Sequence, residues 1–268
     1  MPAVSYHDGS VESRSFHVTT NWPAVFRCMS DRFFLSTPPS AGQAILTGDE
    51  ARHCSRVLRA QVGDTIRVFD GRGTEWPACI TAIARDTVTI DLGAPLAADA
   101  PPPVPLTLAV ALPKGDRQKW LVEKLTELGT ARLVPLITER GVAEATDAAR
   151  ERLKRGVIEA CKQCGRNTLM EIAEPATLGD LAARHPAAVR LIAHPGCGPL
   201  TEKSLTTAGQ PIAEIVAAVG PEGGFTPEEI DFAATAGFCQ VSLGGHILRI
   251  ETAAIALAVW ASLATTSR

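Results

Sequence analysis

The chain has no apolar stretch long enough to cross a bilayer: its most apolar segment, Ala253 to Ala264, falls short of the ~20 residues a membrane-spanning helix needs. No secretory leader is visible either, since residues 1–30 mix charges, His and Trp without a continuous apolar core. The seven cysteines (28, 54, 79, 161, 164, 197 and 239) are odd in number and follow no framework spacing. That argues against a disulfide scaffold and for a cytoplasmic protein with reduced thiols. Neither sign of charge dominates. A net charge of −3 excludes a surface that binds polyanions everywhere, and leaves nucleic acid to a face where basic residues gather. Two nucleotide signatures are missing as well. There is no Gly-Lys-Ser/Thr of a P-loop, and the glycine cluster Gly220 to Gly224 has the wrong spacing and comes too late for a dinucleotide fingerprint. Neither an internal repeat nor a long low-complexity tract interrupts the chain.

What remains is a globular composition, 46% apolar and 21% charged over 268 residues. That length suits one large or two modest domains at roughly 100–200 residues each. Residues 1–28 carry no clear periodicity and are set apart as an extension whose order the pattern does not define. From Arg32 to about Leu92 the apolar runs are short and the turns frequent: Ile66 to Phe69 leads into Asp70-Gly71, then come Trp76 to Ile83 and the alternating Thr87 to Leu92. This predicts a small β-barrel, interrupted by one helix from Asp49 to Leu58. The proline-rich stretch 100–105 is stiff, cannot join a sheet interior and marks a linker. The expected domains are therefore 29–100 and 106–268.

Beyond the linker, strands are expected at Leu106 to Leu112, Leu133 to Ile137, Val189 to Ala193, Ile215 to Val219 and Cys239 to Leu243. Helices are expected at Lys119 to Leu128, at about Ala145 to Cys164, and after Thr226. Thr226 is read as N-cap, Pro227 as the first helical residue and Glu229 as the capping-box partner. Near-continuous apolar strands alternating with helices imply an α/β domain with a parallel sheet covered on both faces.

Two glycine-bearing stretches, Gly220-Pro221-Glu222-Gly223-Gly224 and Leu243 to Thr252, each follow a buried strand and lead into a helix. Such turns are where α/β folds hold ligands. Glu222 would sit awkwardly beside a pyrophosphate. A neutral or cationic ligand held by backbone groups suits this loop better, such as an adenosine bearing a sulfonium.

Gly220 to Gly224, together with Leu243-Gly244, Ile247-Leu248-Arg249 and Glu251-Thr252-Ala253, resembles the signature of the 16S ribosomal RNA uridine-N3 methyltransferases, a branch of the SPOUT class. The likeness extends through Lys114-Gly115, Glu123-Lys124, Glu127-Leu128-Gly129, Glu139-Arg140, Ala160-Cys161, Cys164-Gly165-Arg166, Phe69-Asp70-Gly71 and Arg56 to Arg59. It covers the chain from about Asp31 onward. The resemblance implies a C-terminal trefoil-knot domain that binds S-adenosylmethionine, an N-terminal PUA-like RNA-binding barrel, and a two-fold homodimer. The partner it implies is 16S ribosomal RNA or the small ribosomal subunit, with no membrane. It also places the cofactor between three late turns, at His194-Pro195, at Val219, Gly220, Glu222 and Gly223, and at Leu243, Gly244, Ile247, Leu248, Arg249 and Thr252.

Methylation at uridine N3 requires loss of a weakly acidic proton, so a cation beside a uracil carbonyl or a base near N3 would help. Arg249 and Glu251 are candidates, with Arg249 taken as the catalytic choice; an ion pair between them that pins the last helix is the plain alternative. No base is assigned. Arg52, Arg56 and Arg59 would share one helical face with His53, either as a phosphate track or as a solvated surface. Arg32, Lys114, Arg117, Lys119, Arg140 and Arg166 would extend the track across the cleft. Cys161 and Cys164 with His194 and Cys197 count four possible zinc ligands, but nothing fixes their proximity and no metal is expected. Two rival functions stay open: a related methyltransferase acting on ribose or another base, and a non-catalytic RNA-binding assembly factor.

Overall fold

The computed structural model describes residues 32–96, 102–142, 146–201, 204 and 212–266. The extension 1–28, linker positions 100 and 101, and the expected helix start at Ala145 lie outside the described residues.

The N-terminal part is a five-stranded sheet of β1 (Arg32–Phe34), β2 (Gln43–Thr47), β3 (Thr65–Phe69), β4 (Glu75–Ile83) and β5 (Thr87–Leu92). Its order is β1-β3-β4-β5-β2, parallel between β1 and β3 and antiparallel elsewhere. Alternate residues turn inward, so Phe33, Leu46, Val68, Ile80, Val88 and Ile90 form one buried core. Each such side chain contributes about 1.5–3 kcal/mol of burial.

Between β2 and β3 the expected helical stretch forms, but not as one regular α-helix. Helix α1 (Gly48–Arg52) passes into a π-helical turn, His53–Val57, in which the Leu58 amide bonds the His53 carbonyl at 3.0 Å. Arg59 then takes a left-handed backbone, φ 55°, and ends the element. The wider π turn and this reversal break the 3.6-residue spacing, so Arg52, Arg56 and Arg59 do not share the single helical stripe that regular spacing predicts.

The C-terminal part is a six-stranded parallel sheet of β6 (Leu106–Val110), β7 (Arg132–Pro135), β8 (Glu171–Ile172), β9 (Val189–Ala193), β10 (Ile215–Val219) and β11 (Phe238–Val241), in the order β11-β9-β10-β6-β7-β8. Around it lie α2 (Asp116–Glu127), α3 (Asp147–Cys164), α4 (Leu178–Arg184), α5 (Pro227–Thr235) and α6 (Ile250–Thr266). Period-two alternation sorts the strands between two cores. Leu106, Leu108, Val110, Ile215, Ala217 and Val219 join Leu121, Val157 and Leu257, while Ala109, Val216 and Ala218 join Leu181 and Ala233. Thr226, Pro227 and Glu229 form the capping box read from the sequence.

Arg32, expected on an RNA face, lies instead at the junction of the two parts and is 5% exposed. Its Nε donates to Glu75 at 3.0 Å and its Nη1 to the Cys161 carbonyl at 2.6 Å; Nη2 donates to Asn167, and the guanidinium stacks 4.7 Å over Phe69. A buried guanidinium must be paired, and this one is paired on every side. The same junction explains the Phe69-Asp70-Gly71 stretch. Phe69 enters the core of the second part, and Leu169 donates its amide to the Gly71 carbonyl at 2.9 Å. At Gly71 the backbone has φ +72°, and a Cβ there would stand 2.7 Å from the Leu169 side chain. Only glycine meets both conditions.

A candidate active site at the carboxyl edge of the parallel sheet

Register aligns the carboxyl ends of four neighbouring strands: Val241 is level with Ala193, Ala193 with Val219, and Val219 with Val110. The turns beyond them, 111–117, 194–200, 220–224 and 242–249, therefore open on one edge. The chain builds β7 and β8 on one side of β6 and β9, β10 and β11 on the other. The crevice between the turns after β6 and β10 is thus the switch point of the sheet, where open α/β folds bind ligands.

Main-chain bonds tie the turns together. Ala111 donates to Val219 at 3.0 Å, His194 to Val241 at 3.0 Å, Leu200 to Ser242 at 3.1 Å and Ser242 to Gly198 at 2.8 Å. Gly196, Gly224 and Gly244 have positive φ, and a Cβ at any of them, or at Gly245, would meet nothing within 4 Å. The backbone there is open to close approach. Ile247 is 87% exposed, while Leu243 and Leu248 are half-buried against the core. Ile247 thus offers an exposed apolar side chain on a glycine-rich turn.

The expected cofactor residues are brought together, with differences among them. His194 is half-buried; Pro195, Glu222, Gly223 and Gly244 are exposed; Thr252 is exposed on the first turn of α6. Val219 is 3% exposed with its side chain in the core, so only its main chain faces the turns. Gly220 is packed against Phe225, whose ring a Cβ would meet at 2.9 Å.

The charged groups are arranged otherwise than the sequence suggests. Arg249 is exposed with no side-chain partner among the described residues, and the alternative Arg249–Glu251 pair does not form. Glu251 is paired with Arg117, whose Nη1 is 3.8 Å from its Oε2, and Arg117 Nη2 donates to Glu222 at 3.2 Å. Arg140 approaches from the far side, its Nη1 donating to the Gly223 carbonyl at 2.8 Å. The sequence singles out Arg117, Glu222 and Glu251 individually but not their pairing, because no local spacing relates them; Arg117 and Glu222 are 105 positions apart.

Of the other expected RNA contacts, Lys114 is exposed at the turn after β6. Arg52 is tied to Asp49, and Arg56 lies 3.8 Å from Asp86. His53 is half-buried, edge-on to Phe33. Arg166 is not free for RNA: its Nη1 donates to the Thr126 and Thr130 carbonyls at 3.1 and 2.9 Å and closes the end of α2. Cys197 lies beside Gln240, its Sγ 3.2 Å from the amide oxygen. A cavity of about 720 Å³ lies elsewhere, between α2 and α3, with Lys119, Arg152, Arg155 and Glu159 in its walls. None of the glycine turns after β9, β10 or β11 borders it, so volume alone does not mark the site.

Residues 100–262 match a family model described as an RNA methyltransferase domain, and residues 46–93 one described as an RNA methyltransferase PUA domain. The chain is 38% identical over 211 residues to the ribosomal RNA small subunit methyltransferase E of a Synechocystis species, covering 78% of this chain and 69% of that protein. It is 33% identical to the protein of the same name from Rickettsia conorii, over 74% of this chain and 80% of that one. The crystal structure of a Neisseria gonorrhoeae ribosomal RNA small subunit methyltransferase E bound to S-adenosyl methionine superposes with a TM-score of 0.76 at 31% identity, covering 87% and 97% of the two chains. A Legionella pneumophila methyltransferase in complex with the same cofactor gives 0.78 at 29% identity, over 89% and 98%.

Proposed function

The chain belongs to the family of the ribosomal RNA small subunit methyltransferases E, and from that premise we propose that it transfers the methyl group of S-adenosylmethionine to N3 of a uridine in 16S ribosomal RNA. The observation that carries this reading is the convergence of four turns on the switch point of the parallel sheet, three of them rich in open glycine backbone. These residues fit the cofactor. Open backbone at Gly196, Gly224, Gly244 and Gly245 admits a flat adenine, and Leu243, Ile247 and Leu248 supply apolar cover. His194, Pro195, Gly220, Glu222, Gly223, Arg249 and Thr252, with the Val219 main chain, complete the wall.

When bound, the group supplies a methyl carbon made electrophilic by a positively charged sulfur. The protein's share is to align that carbon with the target nitrogen and to place charge beside the base. Residues 106–268 form the methyltransferase domain, and 29–100 the RNA-binding domain, with Arg52, His53, Arg56 and Arg59 at its surface and Lys114 and Arg140 beside the crevice. A homodimer forms through α6, where Val259 and Leu263 are exposed apolar residues, with the exposed Trp120 on the neighbouring α2. No helix of the described residues is long and apolar enough to cross a membrane, and the enzyme works in the cytoplasm beside its ribosomal substrate.

The test is product analysis. Purified enzyme, labelled S-adenosylmethionine and either 16S RNA or small subunits are incubated, and the RNA is digested to nucleosides. N3-methyluridine is the expected product, seen also as a stop to reverse transcription because the methyl blocks Watson–Crick pairing. A 2′-O-methyl nucleoside, or another base, would overturn the assignment.

A further inference from the structure

Arg117 stands at the second position of α2, directly after Gly115 and Asp116. A cation in the first turn of a helix faces the positive end of the helix dipole, which is unfavourable. Helix stability therefore does not explain the residue, and its partners do. Beside it is the carboxylate of Glu251, whose side chain is 7% exposed and whose Oε2 has no hydrogen-bond partner among the described residues; the guanidinium is the cation nearby, at 3.8 Å. To the side is Glu222 on the glycine turn, bonded at 3.2 Å. The pair Arg117–Glu222 spans the switch-point crevice from the first turn of α2 to the turn after β10.

We propose that Arg117 is a substrate-contacting residue that donates to a carbonyl of the target uracil. This rests on the uridine-N3 reading given above. A guanidinium has five N–H donors in a rigid plane, and its two carboxylate contacts leave the others open on a side chain 39% exposed. Glu222, bonded at 3.2 Å, and Glu251, at 3.8 Å, flank the guanidinium, and a donor placed in advance gives electrostatic help at little reorganisation cost. As the N3–H bond breaks, negative charge spreads onto the two flanking carbonyl oxygens. The N3 electron pair then forms the new bond to the methyl carbon, the carbon–sulfur pair stays on sulfur as a neutral thioether, and the proton leaves to solvent. A donor at a carbonyl bonds most strongly while that negative charge is present, before the methyl bond is complete. Arg140 donates to the Gly223 carbonyl on the same turn, so a second cation stands beside it. Arg249, with no anchoring partner among the described residues, lacks this preorganisation.

The test uses the full chain carrying Arg117→Lys, Arg117→Gln and Arg117→Ala. Cofactor dissociation constants are measured calorimetrically, and turnover is measured on small subunits or 16S RNA. Wild-type product is identified first; if it is not N3-methyluridine, the functional reading fails and the variants are not the reason. Given that product, Arg117→Gln is expected to lose at least a hundredfold in kcat/KM for RNA while cofactor affinity shifts less than threefold. Arg117→Lys should recover part of the rate, since charge returns without the planar fork. Loss of cofactor affinity in parallel with rate would overturn the proposal and make Arg117 a prop for the glycine turn. So would a Gln variant that methylates as fast as wild type. Arg117→Ala guards against a new contact made by the longer side chains: its kcat/KM should fall at least as far as that of Arg117→Gln.

Discussion

Arg32 Nη1 donates to the main-chain oxygen of Cys161 at 2.6 Å, so a residue of the first strand closes the end of the third helix. One guanidinium thus bonds to both the N-terminal sheet and the second part. Replacing Arg32 by Met would leave Glu75 buried, with Arg67 at 3.7 Å as its remaining ion-pair partner. Breaking a buried pair typically costs ~3–5 kcal/mol. Because Arg67 remains, the expected loss is about 2–4 kcal/mol, measured by urea unfolding.

Gly71 gives a second prediction. Gly71→Ala combines a left-handed backbone with a Cβ 2.7 Å from Leu169, whereas Gly63→Ala, at φ +94°, meets open space. The first should cost about 2–4 kcal/mol and the second only about 1 kcal/mol of backbone strain. Equal losses in paired urea titrations would show that the close approach to Leu169 carries no energy.

Ile247 separates ligand binding from folding. At 87% exposure its removal should leave stability within ~0.5 kcal/mol. If the cofactor covers it, Ile247→Ala should weaken S-adenosylmethionine roughly tenfold, by the apolar area lost. Calorimetry beside thermal melting tests both halves, and unchanged affinity would take Ile247 out of the site.

Lys162 makes a pH-dependent clip between the two parts, with Glu50 at 3.0 Å and Glu159 at 3.1 Å. Burial pushes its ammonium pKa down, but the two carboxylates more than offset that, and the net shift is upward. A raised lysine pKa means the stabilisation is complete below the ordinary value, about 10.4, and fades as pH climbs through the higher folded value. The gap in melting temperature between wild type and Lys162→Met should therefore be flat from neutral pH to about 10 and narrow above it. A gap that closes between pH 7 and 9 would contradict the clip.

Much of this arrangement is written locally. Ile215 to Val219 reads as a fully buried strand, and the Thr226, Pro227, Glu229 trio names a helix start to the residue. Both signals need only a few neighbouring positions. The two-residue β8 and the short α4 carry too little periodicity to stand out, and the π turn at His53–Val57 exists only through bonds longer than any helical repeat. Arg32 looked like a surface cation because nothing near it in sequence announces Glu75, Cys161 or Asn167. Likewise Glu251 finds Arg117, not Arg249, because the sheet brings the turn after β6 against the start of α6. Residue type was legible; partnership across more than a hundred positions was not.

The first turn of α2 is synthesised long before α6, yet Arg117 and Glu251 come within 3.8 Å of each other. A growing chain therefore cannot complete the proposed pocket until β11 has docked beside β9 and α6 has returned onto β6, β10 and α2. Such distant pairings form slowly and late. Nascent enzyme emerging from a ribosome would thus be inert toward ribosomal RNA, and activity would switch on only as the closing helix settles.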